Sequence, residues 1–227
     1  MKVVVIGAGI AGLVAARELQ ANDVDVRLVD KGRSVGGRLA TRRIGDARLD
    51  HGAQFFTVRT PAFRRRVDDW LERGLVHVWN HGFVDRDGHP RYAAAGGMNS
   101  LAKDLADGLD VQCSTMAFAI RPAASPGSPR WSVAIDDGTV RPADAVIVTT
   151  PLPQAFALLV DSGIELDETL VRTDYDRTIA LLAVLDRPAP VAPTGGVQNP
   201  NDDVSFVADN QAKGVSARPA VTLHASP

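Results

Sequence analysis

The chain holds a single cysteine, Cys113, among 227 residues. No internal disulfide can form, so a small secreted scaffold held by cross-links is excluded and a reducing, cytoplasmic setting is expected. Neither that thiol nor the five histidines fall at a metal-ligand spacing. An excess of one charge is also missing. The net charge of -2 argues against the broad basic surface of a general nucleic-acid binder. Long apolar runs are absent too. The stretch from Val3 to Ala16 behind Lys2 has the outline of a signal peptide, but three glycines interrupt it and Arg17 and Glu18 follow without a clear cleavage site. It is too short to span a bilayer. What remains is ordinary: 45% apolar and 23% charged residues argue against disorder, a collagen-like chain or a coiled-coil rod. The length suits one large domain or two small ones.

The N-terminal residues carry the strongest pattern. Val3 to Ile6 is a β-branched run suited to a strand buried on both faces. Gly7-Ala8-Gly9-Ile10-Ala11-Gly12 follows directly, then an apolar helical pattern from Leu13 to Gln20 and a second strand from Val24 to Val29 that ends at Asp30. This is one β-α-β unit. A Gly-x-Gly-x-x-Gly string alone is weak evidence, but this context makes it a dinucleotide-binding fingerprint. Gly7 makes the tight turn, Gly9 lets the backbone approach a pyrophosphate, and Gly12 lets the helix lie close on the sheet. The helix N-terminus offers free N–H groups to the phosphates. Asp30 is placed to accept hydrogen bonds from an adenosine ribose and repels a 2′-phosphate.

Further along, the pattern predicts a basic loop over 31–48 and a helix opened by Thr60-Pro61, with Phe63, Val67, Trp70 and Leu71 on its apolar face and Gly74 as its stop. A strand pair begins near Val76, with turns around residues 85–88. A helix is expected over 99–106, a strand over 111–120, a Pro/Ser/Gly loop over 122–129, and strands over 131–135 and 145–149. A short helix over 154–160 precedes an antiparallel sheet with strands near 179–185, 204–208 and 220–224.

Lys31-Gly-Arg-Ser-Val-Gly36-Gly37-Arg38 extends the fingerprint. An acidic strand end followed by a short spacer and Gly-Gly-Arg resembles the second fingerprint of FAD-binding enzymes of the flavin amine-oxidase superfamily. Asp50-His51-Gly52-Ala53-Gln54-Phe55-Phe56, Gly96-Gly97-Met98-Asn99-Ser100-Leu101 and the run from Asp144 to Pro151, with its Pro151-x-Pro153 exit, continue the match. Their set and order are most similar to the renalase-like oxidases within that superfamily. The resemblance is strong over 3–61 and 92–155 and thin over 156–227.

The resemblance implies an α/β fold: a Rossmann-type FAD-binding domain with a second, α+β substrate domain built on an antiparallel sheet. The FAD-binding domain would take residues 1–56 and 92–155, and the substrate domain 57–91 and 156–227. It implies a C-terminal return to the FAD domain that these residues do not contain, which would leave an exposed sheet edge. FAD is the implied cofactor, with contacts from Gly7, Gly9, Ala11, Gly12, Asp30, Lys31, Arg38, Gln54, Phe55 and Ala117. The implied reaction is oxidation of a dihydro-isomer of NAD(P)H by hydride transfer to flavin N5, with dioxygen reduced to hydrogen peroxide. A flavin amine oxidase or desaturase is the alternative, and a non-catalytic FAD-binding remnant is a third reading. The catalytic candidates are His224, Asn210 and Phe55, the last standing where relatives often carry a tyrosine. His51 adjoins the fingerprint. His77, His81 and His89 read as surface residues, Arg64-Arg65-Arg66 as a solvated helix face, and Cys113 as buried filler on a strand.

Overall fold

A computed structural model of the chain describes residues 1–83, 88–123 and 129–227. The elements run β1 (Lys2–Ile6), α1 (Ile10–Gln20), β2 (Asp25–Val29), β3 (Thr41–Ile44), β4 (Ala47–Asp50), α2 (Pro61–Glu72), β5 (Val76–Asn80), β6 (Arg91–Ala94), α3 (Asn99–Ala106) and β7 (Asp110–Gln112). They continue as β8 (Ala117–Pro122), β9 (Trp131–Ile135), β10 (Val140–Ala143), β11 (Ala145–Val148), α4 (Leu152–Leu159), α5 (Glu168–Arg172), β12 (Ala180–Val184), β13 (Gly196–Gln198), β14 (Val204–Asp209) and β15 (Ala220–Ala225). Two compact units result: Met1–Gly37 with Ala102–Tyr175, and Arg38–Leu101 with Asp176–Pro227. This division differs from the expected one. Residues 38–56 and 92–101 join the second unit because Ala47 and Leu49 of β4 are buried against Ala220 and Leu182. Residues 156–175 join the first, where Leu158 of α4 enters the core.

The first unit is built on a parallel sheet of order β11-β1-β2-β7. The β1–β2 and β1–β11 ladders are in register along their lengths, from Lys2 opposite Asp25 and Val3 opposite Ala145. Val5, Leu28 and Val29 are sealed, as a strand covered on both faces requires. Leu13 and Ala16 of α1 are fully buried. Val4, Ile6 and Val29 pack with Ile120, Val133, Ile135 and Ala143 of the antiparallel meander β10-β9-β8. At the far side of the sheet, β11 is an edge strand with no second partner among the described residues.

The second unit holds the antiparallel sheet β12-β15-β14-β13 and two hairpins, β3–β4 and β5–β6. Thr60 caps α2 by accepting a hydrogen bond from Phe63 N at 3.3 Å, and Pro61 occupies the first turn. Val67 and Trp70 bury that helix's apolar face. The unit's β5–β6 ladder shifts register between Val78 and Asn80, a bulge at Trp79.

Several local expectations change. The basic loop contains the β3–β4 hairpin, turned at Gly45 with φ +56. The strand expected over 111–120 is two strands: β7 extends the parallel sheet and β8 starts the meander, with Ser114 at φ +53 between them. The turn at 85–88 and the loop at 122–129 lie largely outside the described residues. Cys113 sits in the turn after β7, half-buried, and not on a strand. Among the described residues no helix is long and apolar enough to cross a membrane.

Candidate active site

In the first unit the three fingerprint glycines carry different loads. Gly7 has φ +105 and an added Cβ would lie 2.7 Å from Thr149 Oγ1. A Cβ on Gly12 would lie 2.0 Å from the Gly7 carbonyl oxygen, so α1 can approach β1 only without a side chain there. Gly9 is the opposite case: nothing stands within 4 Å of an added Cβ. Packing does not require that glycine; the open space beside the backbone suits a ligand. Gly9 is also the N-cap of α1, with no side-chain cap and no acidic residue in the first turn. The first helical bond runs from Leu13 N to Gly9 O at 3.0 Å, so the N–H groups of Ile10, Ala11 and Gly12 precede the intrahelical ladder. An unclaimed helix N-terminus next to open space fits a pyrophosphate.

Asp30 completes the cradle in an unforeseen way. Its Oδ2 accepts from Ala8 N and its Oδ1 from Gly32 N, both at 2.6 Å. The carboxylate thus ties the loop after β1 to the loop after β2, and each oxygen keeps a lone pair for a ribose hydroxyl. Gly36 N donates to Ala8 O at 2.8 Å, which brings the Gly-Gly pair beside the first loop. Lys31 is exposed at the same turn. Ala117 lies at a bulge of β8, half-buried opposite Ile135. The Cys113 thiol is pushed up by burial and by the charge of Asp30.

The second unit carries Arg38, Gln54, Phe55, Asn210 and His224. Arg38 is exposed; its carbonyl accepts from Ala53 N at 2.8 Å, and Gly52 has no room for a Cβ against that same oxygen. The centre of the unit is Asp50, fully buried. Its Oδ1 accepts from Thr41 Oγ1 at 2.5 Å and Met98 N at 2.8 Å, and its Oδ2 from Lys213 Nζ at 2.7 Å. Lys213 is sealed as completely as its partner. The same Nζ donates to Gln54 Oε1 at 3.3 Å and stands 5.3 Å over the Trp79 ring. Burial pushes the Lys213 ammonium down, and Asp50 opposes that.

Gln54 Nε2 donates to Asp50 O at 2.7 Å and Gly52 O at 3.2 Å, and lies 3.4 Å from His224 Nε2. Gln54, expected as an FAD contact, and His224, expected as a catalytic candidate, are thus side chains in contact. His224 is directly opposite Phe206 on β14 and Ala180 on β12. Burial chiefly lowers its affinity for a proton, Lys213 and His51 add to that, and the hydrogen bond to the His51 carbonyl works against it. Phe55 lies in a cluster with Phe83 at 5.1 Å, Phe206 at 5.8 Å and Trp79 at 6.5 Å between ring centroids, with Arg91 over its face. Among the described residues the buried Trp79 indole N–H has no hydrogen-bond partner.

Asn210 is brought near, with both of its amide atoms hydrogen-bonded. Its Oδ1 accepts from Asp50 N, and its Nδ2 donates to Thr222 Oγ1 at 2.9 Å and approaches Ala220 O. That is a brace between β4 and β15. His77 corrects its surface reading: its Nε2 lies 2.9 Å from Lys213 O and holds the lysine's loop. Arg64 corrects likewise, donating to Tyr92 Oη at 2.8 Å, while Arg65 and Arg66 are exposed. Lys213 and Trp79 were missed as site residues. Neither lies in the fingerprint, and no local pattern marks them. Among the described residues no group of three or more His, Cys, Asp or Glu side chains could hold a metal.

Comparison with known proteins finds two family matches. The NAD(P)-binding Rossmann-like domain matches residues 5–70, and flavin containing amine oxidoreductase matches residues 69–202, more than half of the chain. The flavin-dependent L-tryptophan oxidase RebO of Lentzea aerocolonigenes is 27% identical over 78% of this chain and 37% of its own length. Mouse (Mus musculus) renalase is 27% identical over 70% of this chain and 50% of its own. The chain thus spans half or less of these relatives' lengths. Among solved structures, putrescine oxidase bound to putrescine matches all of the chain and 76% of its own at a TM-score of 0.71 and 14% identity. A CLA-producing fatty acid isomerase from P. acnes matches 99% of the chain and 76% of its own at 0.72 and 12%. At such identities the likeness speaks for the fold alone.

Proposed function

The chain belongs to the flavin containing amine oxidoreductase family, and on that footing we propose that it is the FAD-binding and substrate-facing part of an oxidase for dihydro-isomers of NAD(P)H. NAD(P)+ and hydrogen peroxide are the products, and dioxygen is the electron acceptor. The cofactor is FAD. When bound, FAD would supply the redox chemistry, as acceptor of the substrate's hydride and source of electrons for dioxygen. The chain's own residues bind and orient. Gly7, Gly9, Ala11 and Gly12 receive the pyrophosphate at the α1 N-terminus, and Asp30 and Lys31 face the ribose, with Ala117 beside the adenine. Arg38, Gln54 and Phe55 are further FAD contacts, a reading supported by the likeness of their motifs to those of FAD enzymes.

One observation carries the substrate reading: His224, whose affinity for a proton is lowered chiefly by burial, is flanked by Phe206, which packs on Phe55. A dihydropyridine is neutral and planar, and it leaves hydride transfer as a cationic aromatic ring. Aromatic faces orient such a ring, and an uncharged imidazole does not oppose its positive charge. No general base is needed, because the substrate loses hydride and no separate proton. The similarity to renalase supports the same choice. The second reading, oxidation of an amino acid or amine, is favoured by the longer match to the tryptophan oxidase.

The test is turnover of the FAD-loaded chain with borohydride-made NADH isomers, against a panel holding tryptophan and putrescine, read by NAD+ absorbance and peroxide. Isomer oxidation with equimolar peroxide is expected. Rapid tryptophan or amine turnover with no isomer activity refutes the proposal in favour of the second reading. A chain that takes up FAD but turns over neither class of substrate refutes both and leaves the non-catalytic FAD-binding alternative. Action in the cytoplasm belongs to the proposal as well, resting on the single cysteine.

A further inference from the structure

The hydrogen positions around Gln54 have one assignment that satisfies every group. Lys213 Nζ only donates, so the Gln54 atom 3.3 Å away is Oε1. Gln54 Nε2 then faces Asp50 O at 2.7 Å and Gly52 O at 3.2 Å, two groups that only accept. Both amide hydrogens are spent there. His224 Nε2 lies 3.2 Å from His51 O, a third acceptor. It receives nothing from Gln54 and faces a carbonyl, so it carries the ring proton itself. Nδ1 is left bare.

We propose that His224 is held neutral with its proton on Nε2, donated to the His51 carbonyl, and Nδ1 as an acceptor, and that Lys213 and Gln54 are its positioning residues: the lysine and the carbonyls of Asp50 and Gly52 fix the Gln54 amide with its nitrogen toward the ring, so that the amide offers no acceptor to a protonated ring. This rests on the reading of His224 as a member of the oxidation site.

The surroundings support it from every side. From β12 and β14 the ring meets Ala180 and Phe206, which carry no charge. The end of β4 and the segment after it bring Asp50, His51 and Gln54, and the loop after β14 brings Lys213. The one carboxylate in that set, Asp50, is already paired with Lys213 at 2.7 Å. An imidazolium would therefore face the positive end of an oriented amide with an ammonium behind it. Its formation beside a substrate that becomes cationic would oppose the hydride transfer. A bare Nδ1 instead can accept an N–H of the substrate.

The experiment is long-range 1H–15N NMR of the full chain labelled with 15N-histidine, taken through a pH titration. His224→Gln assigns the signal. The native chain should show His224 as a single Nε2–H tautomer that titrates below an ordinary histidine. In the double variant Lys213→Met/Asp50→Asn the ammonium behind the amide is gone while the backbone carbonyls of residues 50 and 52 still hold the amide, so the titration midpoint should rise by about one pH unit, a tenfold gain in proton affinity. Gln54→Met leaves the ion pair in place and should raise the midpoint in the same direction by less. A native ring protonated on Nδ1, or one averaging between tautomers, overturns the proposal. So does a midpoint unmoved in either folded variant. If the double variant does not fold, Gln54→Met and the native tautomer decide alone. These readouts need neither flavin nor turnover, so their failure is separate from failure of the oxidase reading.

Discussion

Gly9 and Gly12 differ only in what surrounds them, and replacing each by alanine separates ligand binding from packing. In Gly12→Ala the new Cβ falls 2.0 Å from Gly7 O, 2.9 Å from Thr149 Oγ1 and 3.1 Å from Gly7 C. Two of those atoms are backbone of the β1–α1 turn, so relief requires α1 to move off the sheet. Overpacking of that kind costs about 3 kcal/mol. Alanine's better helix propensity returns about 1 kcal/mol. The net loss is about 2 kcal/mol, or roughly 4–8 °C in Tm for a chain of this size. In Gly9→Ala nothing is met, and the backbone already holds φ -75, which alanine adopts freely. A poorer N-cap and a stiffer unfolded chain nearly cancel, leaving the fold within about 0.5 kcal/mol of native. The methyl occupies the space proposed for the pyrophosphate, so FAD affinity should fall at least about tenfold, near 1.4 kcal/mol. Thermal melts without cofactor and FAD titration by flavin fluorescence read the two effects. The reasoning fails if Gly9→Ala melts as early as Gly12→Ala, or if it binds FAD as the native chain does.

Lys213→Met alone strands Asp50 in the interior and should cost about 3–5 kcal/mol by urea denaturation, whereas adding Asp50→Asn should restore most of it; equal losses would mean that the pair is not coupled. His224 takes a proton less readily folded than unfolded, where its ordinary value is 6.5. The unfolded chain therefore binds that proton first as pH falls, so this contribution is complete above 6.5 and declines toward the lowered folded value. Urea midpoints compared at about pH 8 and about pH 5.5 should fall less steeply in His224→Gln than in the native chain. Cys113, with its thiol pushed up by burial and Asp30, should alkylate more slowly at neutral pH than the same thiol in the urea-unfolded chain. Asp30→Asn should reverse part of that protection while weakening the loop that Ala8 N and Gly32 N close on the carboxylate.

The parts of the site that were legible from residues are those whose constraint is local. Gly7, Gly9, Gly12 and Asp30 interact across two adjacent loops of one β-α-β unit, and the helix Pro61–Glu72 announces its own cap. Legibility fails where a local pattern is ambiguous. The apolar run after Asp110 reads as one strand because hydrophobicity does not reveal that Ser114 turns the chain at φ +53. Arg42 and Arg43 disguise β3, an exposed strand of a two-stranded hairpin whose partner buries Ala47 and Leu49. Lys213 is a different kind of failure. Lysine is almost never sealed unless it is paired, and its partner Asp50 lies 163 residues away in sequence. Only the docking of β4 on β15 brings the two together, with Thr222 Oγ1 donating to Asp50 O at 2.9 Å and Asn210 accepting from Asp50 N at 3.2 Å. A buried ion pair is an expensive way to hold two strands, since apolar residues of the same volume do as well or better. What such residues cannot do is present a fixed donor to Gln54 Oε1. That one orientation, with the ammonium behind it, explains the cost of the pair, and the titration of His224 is where its use is measured.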